Sequence, residues 1–301
     1  MPAALAFYHP TTLDDAIGLL DSLGEDAKIV AGATALTILM RQRLIAPSAL
    51  VSIGAIPGLD TIEERDGSIR IGAMVRHRDV ELSDLVRARI PVLAETFGKV
   101  ANVRVRNAAT VGGVLAESDY ASDPPSVFVA LDAEIEVSGP AGERTIAARD
   151  FFVAFYETAI EPGEIVTAVR IPVPAAGSGT AYHKFVTRSS EDRPCVGVAA
   201  LVRLGGDGTV ADLRVAVGAA AETPQRFPET DALATGQRLT PELTARIGDA
   251  YADAIDTLDD MRGSAWYRTE MVRVWVGRAI ETATDAATGQ PDSRRAEEPT
   301  R

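Results

Sequence analysis

The sequence has few of the residues that bind metals or form covalent cross-links. It contains a single cysteine, Cys195, among 301 residues. One cysteine excludes an internal disulfide, and it excludes an iron–sulfur cluster held by this chain alone, because such a cluster takes about four cysteines. The three histidines, His9, His77 and His183, lack the spacing of metal ligands. Cys195 is expected to be an inert strand residue, and any redox role would require an organic cofactor.

Basic residues and long apolar runs are also scarce. Thirty lysines and arginines face 43 acidic residues, which gives a net charge of −13, and this excess of negative charge argues against a nucleic-acid partner. No run of about 20 apolar residues occurs, so no membrane span is predicted. The first ten residues lack the charged region and long apolar core of a signal peptide. We therefore expect a cytoplasmic protein.

The first part of the chain has the pattern of a small α/β unit. Thr12, followed closely by two aspartates, is typical of a helix N-terminus, and Gly24 is typical of a helix end. A short apolar strand at 28–31 runs into a loop of small residues, and a second helix begins near Leu36. Free backbone N–H groups at such a junction can bind an anion. The motif G-x-G-x-x-G is absent, which argues against a Rossmann fold.

A second stretch of small residues lies in the segment 104–123. Gly112 and Gly113 follow Thr110, and two acids, Asp119 and Asp123, come shortly afterwards. A glycine pair allows positive φ angles and close approach of another group, and successive N–H groups in such a turn can converge on a phosphate. A simple tight turn is the alternative interpretation of the pair, and turn capping is the alternative for the two acids.

The remaining pattern predicts strands and helices in two groups, separated by a linker at 172–179 that is rich in proline and glycine. Asp66 and Gly67 predict the turn of a hairpin at 59–72. Trp266, Tyr267 and Trp275 are expected to pack between helices. The other predicted elements are helices at 78–87 and 91–100, strands at 134–137, 144–146, 164–171, 180–186, 195–204 and 209–217, helices at 240–258 and 264–283, and a disordered tail from about residue 285.

The loop at 30–36, the segment 104–123 and the stretch 259–268 together resemble the flavin-binding (medium) subunit of the molybdenum hydroxylases, the family of carbon monoxide and xanthine dehydrogenases. The resemblance implies an α+β fold, with a two-part FAD-binding domain of the vanillyl-alcohol-oxidase/PCMH type. A smaller C-terminal domain with a three-stranded antiparallel sheet and helices follows. The implied boundaries are 1–56 and 57–175 for the two FAD subdomains, 179–284 for the C-terminal domain and 285–301 for the tail.

The resemblance also implies where FAD binds. The first loop would lie on the pyrophosphate and the second would close over it, while Asp119 and Asp123 would lie near the cofactor, where a carboxylate suits sugar hydroxyls. The charge of Lys184 would favour a reduced, anionic flavin, unless this lysine is simply a solvated strand residue. The full set of implied cofactor-binding residues is Lys28, Ala31, Gly32, Ala33, Thr34, Ala35, Leu36, Ala109, Thr110, Gly112, Gly113, Ser118, Asp119, Asp123 and Lys184.

Four residues depart from the pattern of this family. Ala33 replaces a glycine, and its methyl group would be costly if the backbone there needs a positive φ. Ala35 replaces Asp or Ser, and Val114 replaces Asn, so two side-chain contacts are missing. Arg193 takes the place of a Phe or Tyr that lies near the flavin ring in the family, so access to the ring or its electronics should differ.

The implied function is electron transfer within a complex. A large subunit would carry the molybdopterin cofactor and oxidise the substrate, and a small subunit would carry two [2Fe–2S] clusters. This chain would pass electrons to an acceptor such as NAD or a quinone, with the flavin doing the redox chemistry and no catalytic acid or base from the protein. Two alternatives stay open: a stand-alone flavin oxidoreductase, and a scaffold subunit that has lost FAD.

Overall fold

The computed structural model describes residues 5–289, and its first unit is a three-stranded parallel sheet of order β1-β3-β2. The predicted capping of the first helix is confirmed, because Thr12 Oγ1 accepts a hydrogen bond from Asp15 N at 3.1 Å and Gly24 ends the helix with a φ of +68°. The unit consists of β1 (Ala6–Tyr8), α1 (Leu13–Leu23), β2 (Ala27–Val30), α2 (Leu36–Arg41) and β3 (Ala49–Ser52).

The second unit is built on a five-stranded antiparallel sheet of order β4-β5-β10-β6-β7. The hairpin turn predicted at Asp66 and Gly67 is confirmed, and both residues have positive φ angles of 50° and 74°, as a type I′ turn requires. The strands are β4 (Ile62–Arg65), β5 (Ser68–Gly72), β6 (Glu134–Gly139), β7 (Gly142–Ala147), the small hairpin β8 (Phe152–Ala154) and β9 (Glu157–Thr158), and β10 (Ile165–Pro172).

Short helices cover this sheet, and two of them differ from the sequence-based prediction. The predicted helix at 78–87 is divided at Ser83, whose hydroxyl caps the second piece by accepting from Val86 N. The glycine pair lies in the first turn of a helix rather than in a turn with positive φ. The helices are α3 (His77–Leu82), α4 (Asp84–Arg89), α5 (Pro91–Gly98), α6 (Val103–Arg106), α7 (Val111–Glu117), α8 (Pro124–Ala130) and α9 (Ala148–Phe151).

The third unit has the predicted three-stranded antiparallel sheet, with helices packed against it. The last helix ends at Thr288, so the prediction of disorder is wrong for 285–288, and the rest of the predicted tail, 290–301, lies outside the described residues. The elements are β11 (Ser178–Phe185), β12 (Val196–Leu204), β13 (Val210–Gly218), α10 (Pro228–Asp231), α11 (Pro241–Ala254) and α12 (Ala265–Thr288).

The third sheet is buried on both faces, which explains the nearly continuous apolar run of β12. On one face, Ala199 and Leu201 join the large core of the second unit, where α8 packs against β12 and β13. On the other face, Val198 and Val202 join a separate core beneath α11 and α12. The second and third units are therefore packed firmly together. Among residues 5–289, no helix combines the length and the apolar character needed to cross a bilayer.

Candidate functional site

The loop between β2 and α2 leaves several backbone donors free. Within the described residues 5–289, the N–H groups of Gly32, Ala33, Thr34 and Ala35 form no hydrogen bond. Unbonded N–H groups in a loop are suited to an anion. Ala33 has a φ of +57°, so the backbone here does take the positive φ at which an alanine is costly.

Gly32 brings this loop against the second small-residue segment. A Cβ atom at Gly32 would lie 2.0 Å from the carbonyl oxygen of Ala108 and 3.0 Å from Cα of Ala109. Any side chain at this position would therefore push the two segments apart. The two loops singled out in the sequence are in direct backbone contact, although more than seventy residues separate them.

The second segment differs from its prediction as an anion-binding loop. Val111 N donates to Val75 O at 2.9 Å and Gly112 N donates to Ala73 O at 2.8 Å, while Gly113 N donates to the capping hydroxyl of Thr110 at 3.1 Å. These three N–H groups are already bonded, which contradicts the expectation that they are free for a phosphate. Gly112 is required for packing instead, because a Cβ there would lie 2.6 Å from Cβ of Ala73.

A cavity of about 920 Å³ lies where the three units meet. Pockets for small molecules and cofactors range from about 300 to 1,000 Å³. All the cofactor-binding residues predicted from the sequence line it except Ser118 and Asp119. The lining residues among them are Lys28, Ala31, Gly32, Ala33, Thr34, Ala35, Leu36, Ala109, Thr110, Gly112, Gly113, Asp123 and Lys184.

Asp123 and Lys184 form a buried ion pair on the cavity wall. Asp123 Oδ1 accepts from the Tyr182 hydroxyl at 2.7 Å, and Asp123 Oδ2 accepts from Lys184 Nζ at 3.0 Å. Lys184 also donates to the carbonyl oxygen of Lys99 at 2.7 Å, and its side chain is only 6% exposed. Burial raises the pKa of Asp123, although the Lys184 ammonium and the Tyr182 hydroxyl oppose this shift. The structure thus contradicts the interpretation of Lys184 as a solvated strand residue.

Ser118 and Asp119 lie behind the cavity wall. Ser118 ends α7 in a left-handed conformation with a φ of +47°, and its hydroxyl donates to Glu157 O at 3.1 Å. Asp119 Oδ1 accepts from Ala121 N at 3.0 Å, and its Oδ2 lies 2.6 Å from Nε of Arg193. Asp119 thus forms an internal ion pair and does not line the cavity, whereas Arg193 does. The predicted contact of Asp119 with a cofactor hydroxyl stays a prediction.

Among the other titratable residues of the cavity wall, His77 and Glu117 have strongly shifted pKa values that no sequence pattern indicated. Burial lowers the pKa of His77 to about 4; its Nε2 donates to Thr110 O at 3.2 Å. Its Nδ1 is then an acceptor without a partner in the described part of the chain. Burial and the nearby Asp119 raise the pKa of Glu117 to about 7, against the opposing effect of Arg193. Burial by distant segments creates both shifts, and local sequence patterns do not report it.

Comparison with known proteins agrees with this geometry. Residues 3–174 match the family model described as the FAD binding domain in molybdopterin dehydrogenase, and residues 180–283 match the CO dehydrogenase flavoprotein C-terminal domain. The nicotine 6-hydroxylase medium subunit of Paenarthrobacter nicotinovorans is 36% identical over 282 residues, which cover 93% of this chain and 97% of the relative. The carbon monoxide dehydrogenase medium chain of Afipia carboxidovorans is 36% identical over 285 residues, or 94% of this chain and 98% of the relative.

A solved structure shows the same fold. Carbon monoxide dehydrogenase from Hydrogenophaga pseudoflava, in a form that lacks the Mo-pyranopterin moiety, matches with a TM-score of 0.90 and 36% identity over 94% of this chain and 98% of the matched chain. The cavity residues fit FAD on the structure's own terms, because four N–H groups and one imidazole nitrogen at its wall have no partner among residues 5–289. The chain belongs to the family of FAD-binding medium subunits of the molybdenum hydroxylases and is an oxidoreductase subunit.

Proposed function

We propose that this chain binds FAD in the cavity and passes electrons from [2Fe–2S] clusters on a small partner subunit to an external acceptor such as NAD or a quinone. A molybdopterin-binding large subunit would oxidise the substrate. The observation that carries the proposal is the loop with free N–H groups at 32–35, which opens into a cavity large enough for a dinucleotide cofactor. Membership in this family of medium subunits supports the existence of partner chains.

The residues that would hold the cofactor have distinct tasks. The N–H groups of the loop 32–35 would donate to the pyrophosphate, as unbonded donors suit an anion. Gly113 has no side chain, so it leaves space for the cofactor next to the capping residue Thr110. His77 Nδ1 would accept a hydrogen bond from an N–H or hydroxyl group of the cofactor. FAD would supply the ability to accept electrons singly and release them in pairs. The protein's part is to hold the ring and to set the charge around it.

A relay needs a face toward the partner protein, and the surface near Arg193 is our candidate. Several large apolar side chains are exposed there and on the adjoining turn of the third unit. Trp266 is one of them, so the expectation that it packs between helices is wrong. Phe155 is 40%, Tyr156 57%, Met261 79% and Trp266 73% exposed. The Tyr120 ring lies 5.1 Å from the Phe155 ring, and the Arg262 guanidinium stacks over the Tyr120 ring. The hairpin of β8 and β9, which holds Phe155, is therefore next to the turn that holds Arg262. A stable interface would bury more than about 1,000 Å² in total.

The division of the chain into 1–56, 57–175, 179–284 and a tail also belongs to this proposal. It is supported by the three separate sheets and by the large number of contacts that β11, β12 and α12 make with one another. A cytoplasmic location is proposed with it, since a chain with one cysteine in 301 residues has the composition typical of a reducing compartment.

Flavin content tests the first half of the proposal. The purified protein should carry one FAD, seen as absorbance at about 450 nm, as expected for an oxidised flavin. Acid precipitation should release all of the colour, because neither loop contains a cysteine or histidine for a covalent link. A protein that neither contains FAD nor binds it on addition would be the scaffold subunit considered above.

Gly113→Leu tests the location of the site. The new side chain would enter the cavity, so FAD binding should be lost while the circular dichroism spectrum of the folded protein is kept. Gly18→Leu is the matched control, because a Cβ at Gly18 in α1 would meet no atom within 4 Å. This control should bind FAD normally. Normal FAD occupancy in Gly113→Leu would contradict the assignment of the cavity.

Reconstitution tests the relay. The isolated, flavin-loaded chain is mixed with candidate substrates and an artificial acceptor, with and without the two partner subunits. Flavin reduction should require both partners. Substrate-dependent reduction by the isolated chain would contradict the relay and favour a stand-alone flavin oxidoreductase.

A further inference from the structure

The ion pair between Asp119 and Arg193 places a cation on the wall of the cavity. Nε of Arg193 lies 2.6 Å from Oδ2 of Asp119. The Asp119 side chain is only 1% exposed, whereas that of Arg193 is 52% exposed and lines the cavity. The carboxylate is therefore hidden behind the wall, and the guanidinium faces both the cavity and solvent.

This pair differs from the other buried pair on the wall. Asp123 and Lys184 are hydrogen-bonded to each other, and each makes a further hydrogen bond to another protein group. Apart from its ion pair with Asp119, Arg193 has no hydrogen-bond or ion-pair partner within residues 5–289. A guanidinium has five N–H donors, so most of those on Arg193 remain available to a ligand in the cavity.

The chain holds this pair in place from both sides. Tyr120, next to Asp119, donates from its hydroxyl to Asp260 Oδ2 at 2.6 Å. Arg268 donates to the other oxygen of Asp260 at 2.7 Å and to the carbonyl oxygen of Cys195 at 3.1 Å, two residues after Arg193. Asp260 thus links the segment that carries Asp119 to the one that carries Arg193. The backbone that carries both charges is thus held in place, which lowers the cost of reorganisation when a ligand binds.

The position of the pair matters because reduction changes the charge of a flavin. Uptake of two electrons and one proton from a reductant leaves one additional negative charge on the ring. A nearby fixed cation favours the charged state, and a nearby anion opposes it. Interactions of this kind are much stronger at a partly buried wall than in bulk water.

We infer that the Asp119–Arg193 pair tunes the reduction potential of the flavin bound in this cavity, with Arg193 raising the potential and Asp119 limiting the rise. The inference rests on the proposed function, since it requires FAD in the cavity. It assigns to Arg193 the role of setting the charge next to the bound cofactor.

The test is the reduction potential of bound FAD, measured at one fixed pH against a dye of known potential. Arg193→Gln should lower the potential, because a cation is removed and Asp119 is left unpaired. Asp119→Asn should raise it, because the charge of Arg193 is no longer compensated. The double variant should lie between the two, and Arg193→Lys, which keeps the charge, should lie near the wild type. A merely structural disturbance would not move the two single variants in opposite directions.

Arg188→Gln is the matched control, because Arg188 also lines the cavity but its pair with Asp192 is loose, at 3.7 Å, and exposed. Its shift should be smaller than that of Arg193→Gln. Shifts of the same sign in both single variants, or none beyond that of the control, would overturn the inference. A wild-type protein without FAD would instead refute the proposed function, so the two failures are distinguishable. If Asp119→Asn does not fold, the comparison of Arg193→Gln with Arg193→Lys decides.

Discussion

Ala33 has a φ of +57° in the loop that we assign to the pyrophosphate, a conformation that is strained for any residue with a Cβ atom. A left-handed conformation costs an L-residue about 1–2 kcal/mol, and glycine avoids this cost while losing more chain entropy on folding. Ala33→Gly should therefore raise the free energy of unfolding by about 0.5–1 kcal/mol, measured by urea denaturation. FAD affinity should be unchanged or higher.

The control for this substitution is Ala116→Gly, at an exposed position in α7 where the backbone is helical. Glycine is less favourable than alanine there by about 0.5–1 kcal/mol. The two alanine-to-glycine changes should therefore act in opposite directions. A loss of stability in both would mean that the loop carries no strain at Ala33.

His77 should make the stability of the flavin-free protein depend on pH. Its pKa is about 4 in the folded chain and about 6.5 when exposed, so between these values the unfolded chain binds the proton and the folded chain does not. Stability therefore falls as the pH falls, with a contribution of about 2 kcal/mol between pH 7 and pH 5. His77→Gln should remove this contribution, measured as the difference in unfolding free energy between the two pH values. The exposed His9→Gln serves as control, and an equal change in both variants would contradict the prediction.

At the scale of elements, two arginines of α12 differ in burial, because Arg268 is fully buried and Arg273 is partly exposed. Arg268 is 0% exposed and pairs with Asp260, while it also donates to two backbone carbonyl groups. Arg268→Met removes this donor from both carbonyl groups and a buried cation from Asp260, which keeps only Tyr120 and Arg262, and it should cost about 3–5 kcal/mol in unfolding free energy. Arg273→Met on the same helix removes exposed or partly exposed pairs with Asp249, Asp253 and Glu270 and should cost less, about 1 kcal/mol or below. Equal losses in urea denaturation would show that the buried network contributes no special stability.

Local patterns predicted most elements, because caps and turns are encoded by neighbouring residues. Thr12, Gly24 and the turn at Asp66 and Gly67 occur as the sequence indicated. The prediction for the glycine pair at 112 and 113 was wrong, because Gly112 is required for close approach to Ala73, a contact that only the folded chain reveals. The division of the helix at Ser83 depends on a single capping hydroxyl within an otherwise helical pattern.

The site was predictable as a set of loops, but its charges were not. Nearly every residue taken from the family pattern lines the cavity. The ion-pair partners of the two acids were not predicted, because Asp119 pairs with Arg193 and Asp123 with Lys184, residues that are far away in the sequence. Burial then determines which groups are charged, and it is a property of the packed units rather than of a motif. Hence Glu117 and His77 had no signal in the sequence.

At the scale of the whole molecule, the cavity joins three units that have separate sheets. Its wall takes Ala31–Leu36 residues from the first unit, Gly113 from the second and Lys184 from β11 of the third. A ligand that binds only the folded state stabilises it by about 2.7 kcal/mol at a concentration a hundred times its dissociation constant. If FAD contacts all three units, all of them should gain this stability together.

The two tryptophans of the chain allow a direct measurement, because Trp266 and Trp275 both lie on α12 in the third unit. Trp275 packs against His183 and Phe185 of β11, with ring centroids 5.4 and 5.5 Å away, so its fluorescence reports on the third unit. FAD should raise the thermal midpoint seen by tryptophan fluorescence as much as the midpoint seen by far-ultraviolet circular dichroism. In Gly113→Leu, addition of FAD should change neither thermal midpoint. A fluorescence midpoint that FAD leaves unchanged while the circular dichroism midpoint rises would mean that the first two units hold the cofactor without Lys184 and the third sheet.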